Sequence, residues 1–246
     1  MFAPPSPFES VVNAIARHDC GWEAADREPE LNEQSRPAHV FESDILVALS
    51  AWQKSVNQIA EDDAYAGLLV SLHTMALANR AAAKEPAAQD EFSRHRAFRI
   101  RRFVHQQIEI QENLRRKLEM RSDLPLRGGL AEQGRAADED LLRTNFFLLE
   151  FLDQLSLNLC FNRLVFQRVE MVYPRTGEGP LTARISADLK EGMKLNPWAF
   201  NEAIFQFDVP AKRIAAAPYR DLPSLRSACD KAARCTVRVV LQPAGS

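Results

Sequence analysis

Apolar side chains in this chain recur at three- and four-residue steps up to about residue 162. Beyond that point they fall into shorter runs bounded by turn residues. The first pattern predicts helices and the second predicts strands. After a proline-rich start, Phe8 to Arg17 reads as a short helix with Val11, Val12, Ile15 and Ala16 on its apolar side, and Gly21 ends the pattern. Residues 23 to 42 read as an acidic loop, with Glu23, Asp26, Glu28, Glu30, Glu33 and Glu42 around Pro29 and Pro37. Ser43 is the expected cap of a helix reaching about Ala60, whose Ile45, Leu46, Leu49, Trp52, Val56 and Ile59 keep helical spacing. Asp62 or Asp63 then caps a helix from Ala64 to Ala83 carrying Leu68, Leu69, Leu72, Met75 and Leu77.

A third long helix is expected from Gln89 to Met120. Its apolar residues, Phe92, Phe103, Ile110, Leu114 and Leu118, are sparse, so much of it should face water. Pro125 and Gly128-Gly129 predict a loop to about Gly134. The helix that follows, Ala136 to Cys160, is apolar on nearly every side from Phe146 onward, as a buried central helix would be. Four strands are then expected, at Leu164–Tyr173, Leu181–Leu189, Ala203–Val209 and Thr236–Gln242. Pro174, Gly177, Gly179 and Gly192 supply turns, and a helix from Pro223 to Arg234 precedes the last strand. The fold class is therefore α+β, mostly α: a helical body over residues 1–162, and a small antiparallel sheet with one helix over residues 163–246.

Length and composition narrow the function classes. A chain of 246 residues, 46% hydrophobic and 26% charged, can bury a proper core as one large domain or a domain with an appendage. A net charge of −2 and a pI of about 6.2 argue against nucleic acid or an anionic membrane as partner of the whole chain. The stretch from Thr144 to Phe161 is the greasiest, but Glu150, Asp153, Gln154 and Asn158 interrupt it, so no membrane span is expected. The start, Met1 to Pro7, lacks the charged and apolar regions of a secretory leader. Cys20, Cys160, Cys229 and Cys235 show no metal-ribbon or redox spacing and fit a reducing compartment, which makes the cytoplasm the expected location. Arg94, Arg96, Arg99, Arg101 and Arg102 make one helix strongly basic. A phosphate contact is one reading of that face, and a solvated face pairing with the acidic loop is the plainer one. No phosphate-cradling glycine loop and no nucleophile elbow occur.

The residues that carry chemistry are few. His18 and Asp19 are adjacent where the first helix stops, and Asp153 stands alone among Phe146, Phe147, Leu148, Leu149, Phe151, Leu152 and Leu155. An unpaired carboxylate in such surroundings costs several kcal/mol, so it must be neutralised, hydrogen-bonded or bound to a cation. Arg143 or Arg163 could neutralise it, and the His18-Asp19 pair alone could be a helix-end cap. A divalent cation shared by His18, Asp19 and Asp153 is the reading that accounts for all three, the mixed nitrogen and oxygen donors suiting zinc, manganese, iron or magnesium. His39, just before the second long helix, and His73, inside the next one, are further candidates.

The string HDCGW with the later LDQLSL resembles the HD superfamily of metal-dependent phosphohydrolases, in which a His, a His-Asp pair and a later Asp hold a divalent ion. More closely, ARHDCGW, YAGLLVSLH, FLLEFLDQLSLNLC and NPWAF resemble a bacterial family known as domain of unknown function 3891, and the likeness spans nearly the whole chain. The resemblance implies an HD-like helical body with His18, Asp19 and Asp153 as metal ligands. It makes His39 and His73 second-metal or phosphate-facing catalytic groups. Residues 1 to 17 contain no histidine, so the implied site is one imidazole short, which should weaken metal binding or leave an extra open position.

Three functions follow as expectations. The first is metal-assisted hydrolysis of a phosphorylated small molecule. The second is a metal- or ligand-binding protein without turnover. The third is an interaction module whose C-terminal sheet offers an edge strand to a second copy, giving a homodimer.

Overall fold

The structure, a computed structural model, describes residues 5–84, 90–119, 129–161, 171–175, 178–188 and 192–244. Its helices are α1 (Phe8–Arg17), α2 (Glu23–Asp26), α3 (Ile45–Asp62), α4 (Ala64–Lys84), α5 (Glu91–Lys117), α6 (Gly129–Phe161) and α7 (Leu222–Lys231). Its strands are β1 (Met171–Arg175), β2 (Glu178–Asp188), β3 (Gly192–Asn196), β4 (Phe205–Lys212) and β5 (Arg234–Pro243). The class is α+β, mostly α, as the periodicity predicts.

Aspartates decide where the long helices begin. Asp44, not the expected Ser43, caps α3, because its carboxylate accepts from the Leu46 backbone N–H at 2.7 Å. Asp63 accepts from the N–H groups of Tyr65 and Ala66, both at 3.0 Å, and Asp90 from Ser93 N–H at 2.7 Å. The acidic stretch at 23–42 is less irregular than expected, since it holds α2 and a short 3-10 turn at Val40–Glu42. α6 starts at Gly129, inside the stretch read as a loop. Interior glycine costs a helix only about 1 kcal/mol, which a helix of 33 residues absorbs. The expected residues Gln89, Met120, Pro125, Gly128, Arg163, Leu164–Glu170, Gly177 and Leu189 lie outside the described residues.

The chain divides into two compact units, one of Pro5–Asn32 with Ala38–Phe146, the other of Glu33–Pro37 with Phe147–Ser246. The division falls inside α6, so this single helix serves both.

In the first unit α4 is the central helix. Tyr65, Ala66, Leu68, Leu69, Val70, Ser71, His73, Thr74 and Ala78 are all buried, and α1, α3 and α5 pack around them. Gly67 lets α3 and α4 close up, since a Cβ there would lie 2.5 Å from Ala60 Cβ. The buried stripe of α5 runs Ile100, Phe103, Gln107, Gln111, Leu114, so two amides continue an otherwise apolar face. They are satisfied internally. Ser71 Oγ donates to Gln107 Oε1 at 2.9 Å, Gln107 Nε2 donates to Gln53 at 2.8 Å, and Gln111 Nε2 donates to Ser71 Oγ at 3.2 Å. This chain of bonds ties α3, α4 and α5 together. Asn145, on the early half of α6, is fully buried and donates to Tyr65 Oη at 2.7 Å and to the Ser6 carbonyl at 2.8 Å.

The second unit is a five-stranded sheet in the order β1-β2-β3-β5-β4, backed by the late half of α6. Phe151, Leu155 and Leu159 pack with Ala183, Ile185, Met193, Leu195, Ala199, Val239 and Leu241. The sheet is mixed rather than antiparallel, because β3 and β5 run parallel. Between them β4 and α7 return the chain to the same end, which is what a parallel neighbour requires. β3 was not expected either. Gly192, read as a turn, opens this strand at φ +87°, and a Cβ there would meet the Val240 carbonyl oxygen at 2.8 Å. The loop at Glu33–Pro37 belongs here through a bond from Tyr219 N–H to the Ser35 carbonyl, 2.7 Å long.

Candidate metal centre

The placement of His18 begins with Gly21. The turn Cys20–Trp22 lies so close to α3 that a Cβ on Gly21 would stand 1.9 Å from the Ala51 carbonyl oxygen, and Gly21 N–H donates to the buried Ser55 Oγ at 2.9 Å. Only glycine fits. The backbone is thereby fixed immediately after His18-Asp19, and Trp22 packs against the cluster of Ile45, Leu49, Ile100 and Phe103.

Two histidines meet at this point. His18 stands at the end of α1 and His73 is buried in the middle of α4, their rings edge to face with centroids 5.4 Å apart. His18 Nδ1 lies 2.9 Å from the Ile15 carbonyl oxygen, which can only accept, so Nδ1 carries a proton. The other nitrogen, Nε2, lies 3.2 Å from Asp19 Oδ2. That approach is attractive only if His18 is a full imidazolium or if a cation is shared between the two groups. A neutral ring with its proton on Nδ1 would turn a lone pair on the carboxylate. Asp19 sits below the usual carboxylate range: burial would raise it, but the hydrogen bond from His18 and the charges of His18 and His73 outweigh burial.

Asp153 is presented by α6, about 12 Å along that helix from the anchored Asn145. It is buried, as the sequence predicts. One ligand atom from each of His18, His73 and Asp153 lies within 4.8 Å of the others. Two imidazole nitrogens and a carboxylate oxygen at that spacing fit zinc, manganese or iron better than the oxygen-seeking magnesium. Arg143, a candidate partner for Asp153, is instead bonded to Asp140 at 2.8 Å.

The expected set of residues is thus brought together in part. His18 and Asp153 both belong to the candidate ligand group. His73, expected as a second-metal or phosphate-facing group, is the third residue of the candidate group. Asp19 stays beside His18 and outside the trio. His39 caps the Val40–Glu42 turn, its Nδ1 accepting from Phe41 N–H at 3.2 Å and its own N–H donating to Glu42 at 3.0 Å. Sequence spacing cannot separate these roles, because whether His73 faces α1 or α5 is a matter of helix packing.

Beside His18 and Asp19 lies an open pocket of about 610 Å³, with Cys20, Glu23, Glu61 and Asp62 on its wall. Cys20 Sγ donates to Gln58 Oε1 at 3.2 Å, and Asp62 holds Arg17 at 2.9 Å. Nearby Asp26 is raised by burial and by the charges of Asp19 and Glu23. The rim is acidic enough to favour a cation.

Fold and site together define an α+β, mostly α protein carrying a candidate His-His-Asp ligand group. The chain belongs to the family described as protein of unknown function (DUF3891), whose model matches residues 1–216. No curated protein and no solved structure matches it. Among the described residues no helix is long and apolar enough to cross a membrane.

Proposed function

We propose that His18, His73 and Asp153 hold a divalent metal ion and that the protein hydrolyses a phosphate ester of a small molecule, as a divergent counterpart of the HD phosphohydrolases. The observation that carries this reading is the convergence of three ligand atoms within 4.8 Å. Structural zinc sites close their coordination with four protein ligands, whereas catalytic ones commonly use three and keep a position open. Three ligands, one of which, His18, also lines an open pocket, suit the second arrangement. When bound, the ion would supply Lewis acidity toward the phosphoryl oxygens and activate water.

The protein's own groups would do the rest. The Ile15 carbonyl holds the His18 ring through Nδ1 and so aims Nε2 at the site. His73, buried in α4, gives a second nitrogen whose position does not vary with solvent. Asp19 Oδ2, half exposed on the pocket side, is an acceptor for a proton or for a water hydrogen.

A second reading is binding without turnover, which the same three ligand atoms would also support. Elemental analysis of protein purified without chelator, with Asp153→Ala beside it, is the direct test. The wild type should carry about one equivalent of metal and the variant essentially none. Full occupancy in the variant would refute the ligand set. Turnover of a phosphomonoester and phosphodiester panel with manganese, iron or zinc would then separate the enzyme from the binder.

A further inference from the structure

A second opening runs between α3 and α5, with a volume of about 560 Å³. Its charged lining is uneven: Lys54, Arg99 and Arg102 against the single carboxylate of Glu61. The spacing is that of two helix faces meeting. On α3, Asn57 and Gln58 lie three and four residues after Lys54 and four and three before Glu61, and on α5 Arg99, Arg102 and Gln106 follow at steps of three and four. The floor is held from below, because buried Phe103 lies there and Gln107 Nε2 donates to Gln53 across the two helices.

Some basic residues of this unit are already engaged. Arg17, Arg96 and Arg115 each approach a carboxylate: Asp62 at 2.9 Å, Asp44 at 3.9 Å and Glu139 at 3.0 Å. Among the described residues, Lys54, Arg99 and Arg102 form no ion pair and no hydrogen bond with protein. The neutral part of the wall is rich in amides, which can donate to an anion but do not cancel the positive charge. The groove also shares Gln58 and Glu61 with the pocket at His18 and Asp19, so the two openings adjoin.

We infer that this groove is an anion subsite for a phosphate group of a small ligand, with Arg99 and Arg102 as its donors and Lys54 facing them. Guanidinium forks match phosphate oxygens in pairs, and the volume is that of a small-molecule site. The chain's net charge of −2 argues against a nucleic-acid strand as the occupant. If the neighbouring pocket hydrolyses phosphate esters as proposed above, the substrate carries two separated phosphates, one in each opening. That last step rests on the proposed function. Anion binding in the groove does not.

The test is calorimetric titration of metal-free protein with inorganic pyrophosphate. The wild type should bind, and Arg99→Gln with Arg102→Gln should weaken binding at least about tenfold while melting at the wild-type temperature and keeping its metal content. Lys54→Gln alone should weaken it by a smaller factor. Asp153→Ala should lose metal and keep pyrophosphate binding. No binding by the wild type, or unchanged binding by the double arginine variant, overturns the anion subsite and leaves the metal site standing. An oligonucleotide that binds through the same arginines more tightly than pyrophosphate overturns it too, since the groove would then be part of a nucleic-acid surface.

Discussion

The two units differ in where their buried polar groups stand. In the sheet unit, Phe151, Leu155, Leu159, Ile185, Met193, Leu195 and Leu241 make a core of apolar side chains, and among the described residues its buried polar groups, Glu150, Asp153 and Asn158, all stand on α6 rather than on the strands. In the helical unit, Ser55, Ser71, His73, Thr74, Gln107, Gln111 and Asn145 are buried with the leucines. Apolar burial stabilises without direction, while buried polar groups hold only if each finds a partner of the right geometry. In the helical unit such partners run between helices, from Gln53 through Gln107 to Ser71 and Gln111.

That contrast can be broken most directly from the sheet side. Phe151→Ala should cost about 3–5 kcal/mol by leaving a cavity in an apolar core, read by denaturant unfolding followed through Trp198, which packs against the same cluster. A cost below about 1 kcal/mol would show that this core is not close-packed. On the helical side, Gly21→Ala should cost about 3 kcal/mol, because the new methyl group meets backbone rather than a movable side chain. It should also reduce metal content, since the turn fixing His18 must shift, whereas Phe151→Ala should leave the His18–His73 geometry alone. Gln107→Ala should cost about 1–3 kcal/mol by stranding Ser71 and Gln53, a loss that an apolar interior would not register.

The smallest effect belongs to pH. Asp221 caps α7, and the backbone hydrogen bond from Ser224, with help from Arg220 and the Ser224 hydroxyl, holds its carboxyl below the usual carboxylate range. Its contribution is therefore fully present above the ordinary value of 3.8 and is lost as pH falls through the lower folded value. Asp221→Asn keeps a capping oxygen but cannot titrate, so its stability should fall less steeply than the wild type's on acidification. Parallel acid limbs for the two proteins would contradict the assignment.

Much of this architecture was legible in the residues. The start and end of α1, the aspartate before α4 and the length of α5 follow from helical spacing and capping chemistry, which act within a few residues. The burial of Asp153 was legible too, because its neighbours leave no polar face. β3 was hidden, since Gly192 reads as a turn until β5 lies beside it, and the parallel pairing depends on where a distant strand inserts. The amides of α5 were hidden for a related reason: glutamine at an apolar position looks like a solvated face unless its partners on α3 and α4 are known.

The histidines show the same limit at the level of chemistry. Local sequence determines that His18 ends a helix beside Asp19 and that His73 lies within one, because periodicity and caps are short-range effects. Which nitrogen faces which carboxylate, that His39 closes a turn, and that Arg99 and Arg102 share a groove with Lys54 are decided by how the helices pack. Side-chain direction follows from the rotation of each helix against its neighbours, and that is set by contacts between residues far apart in the chain.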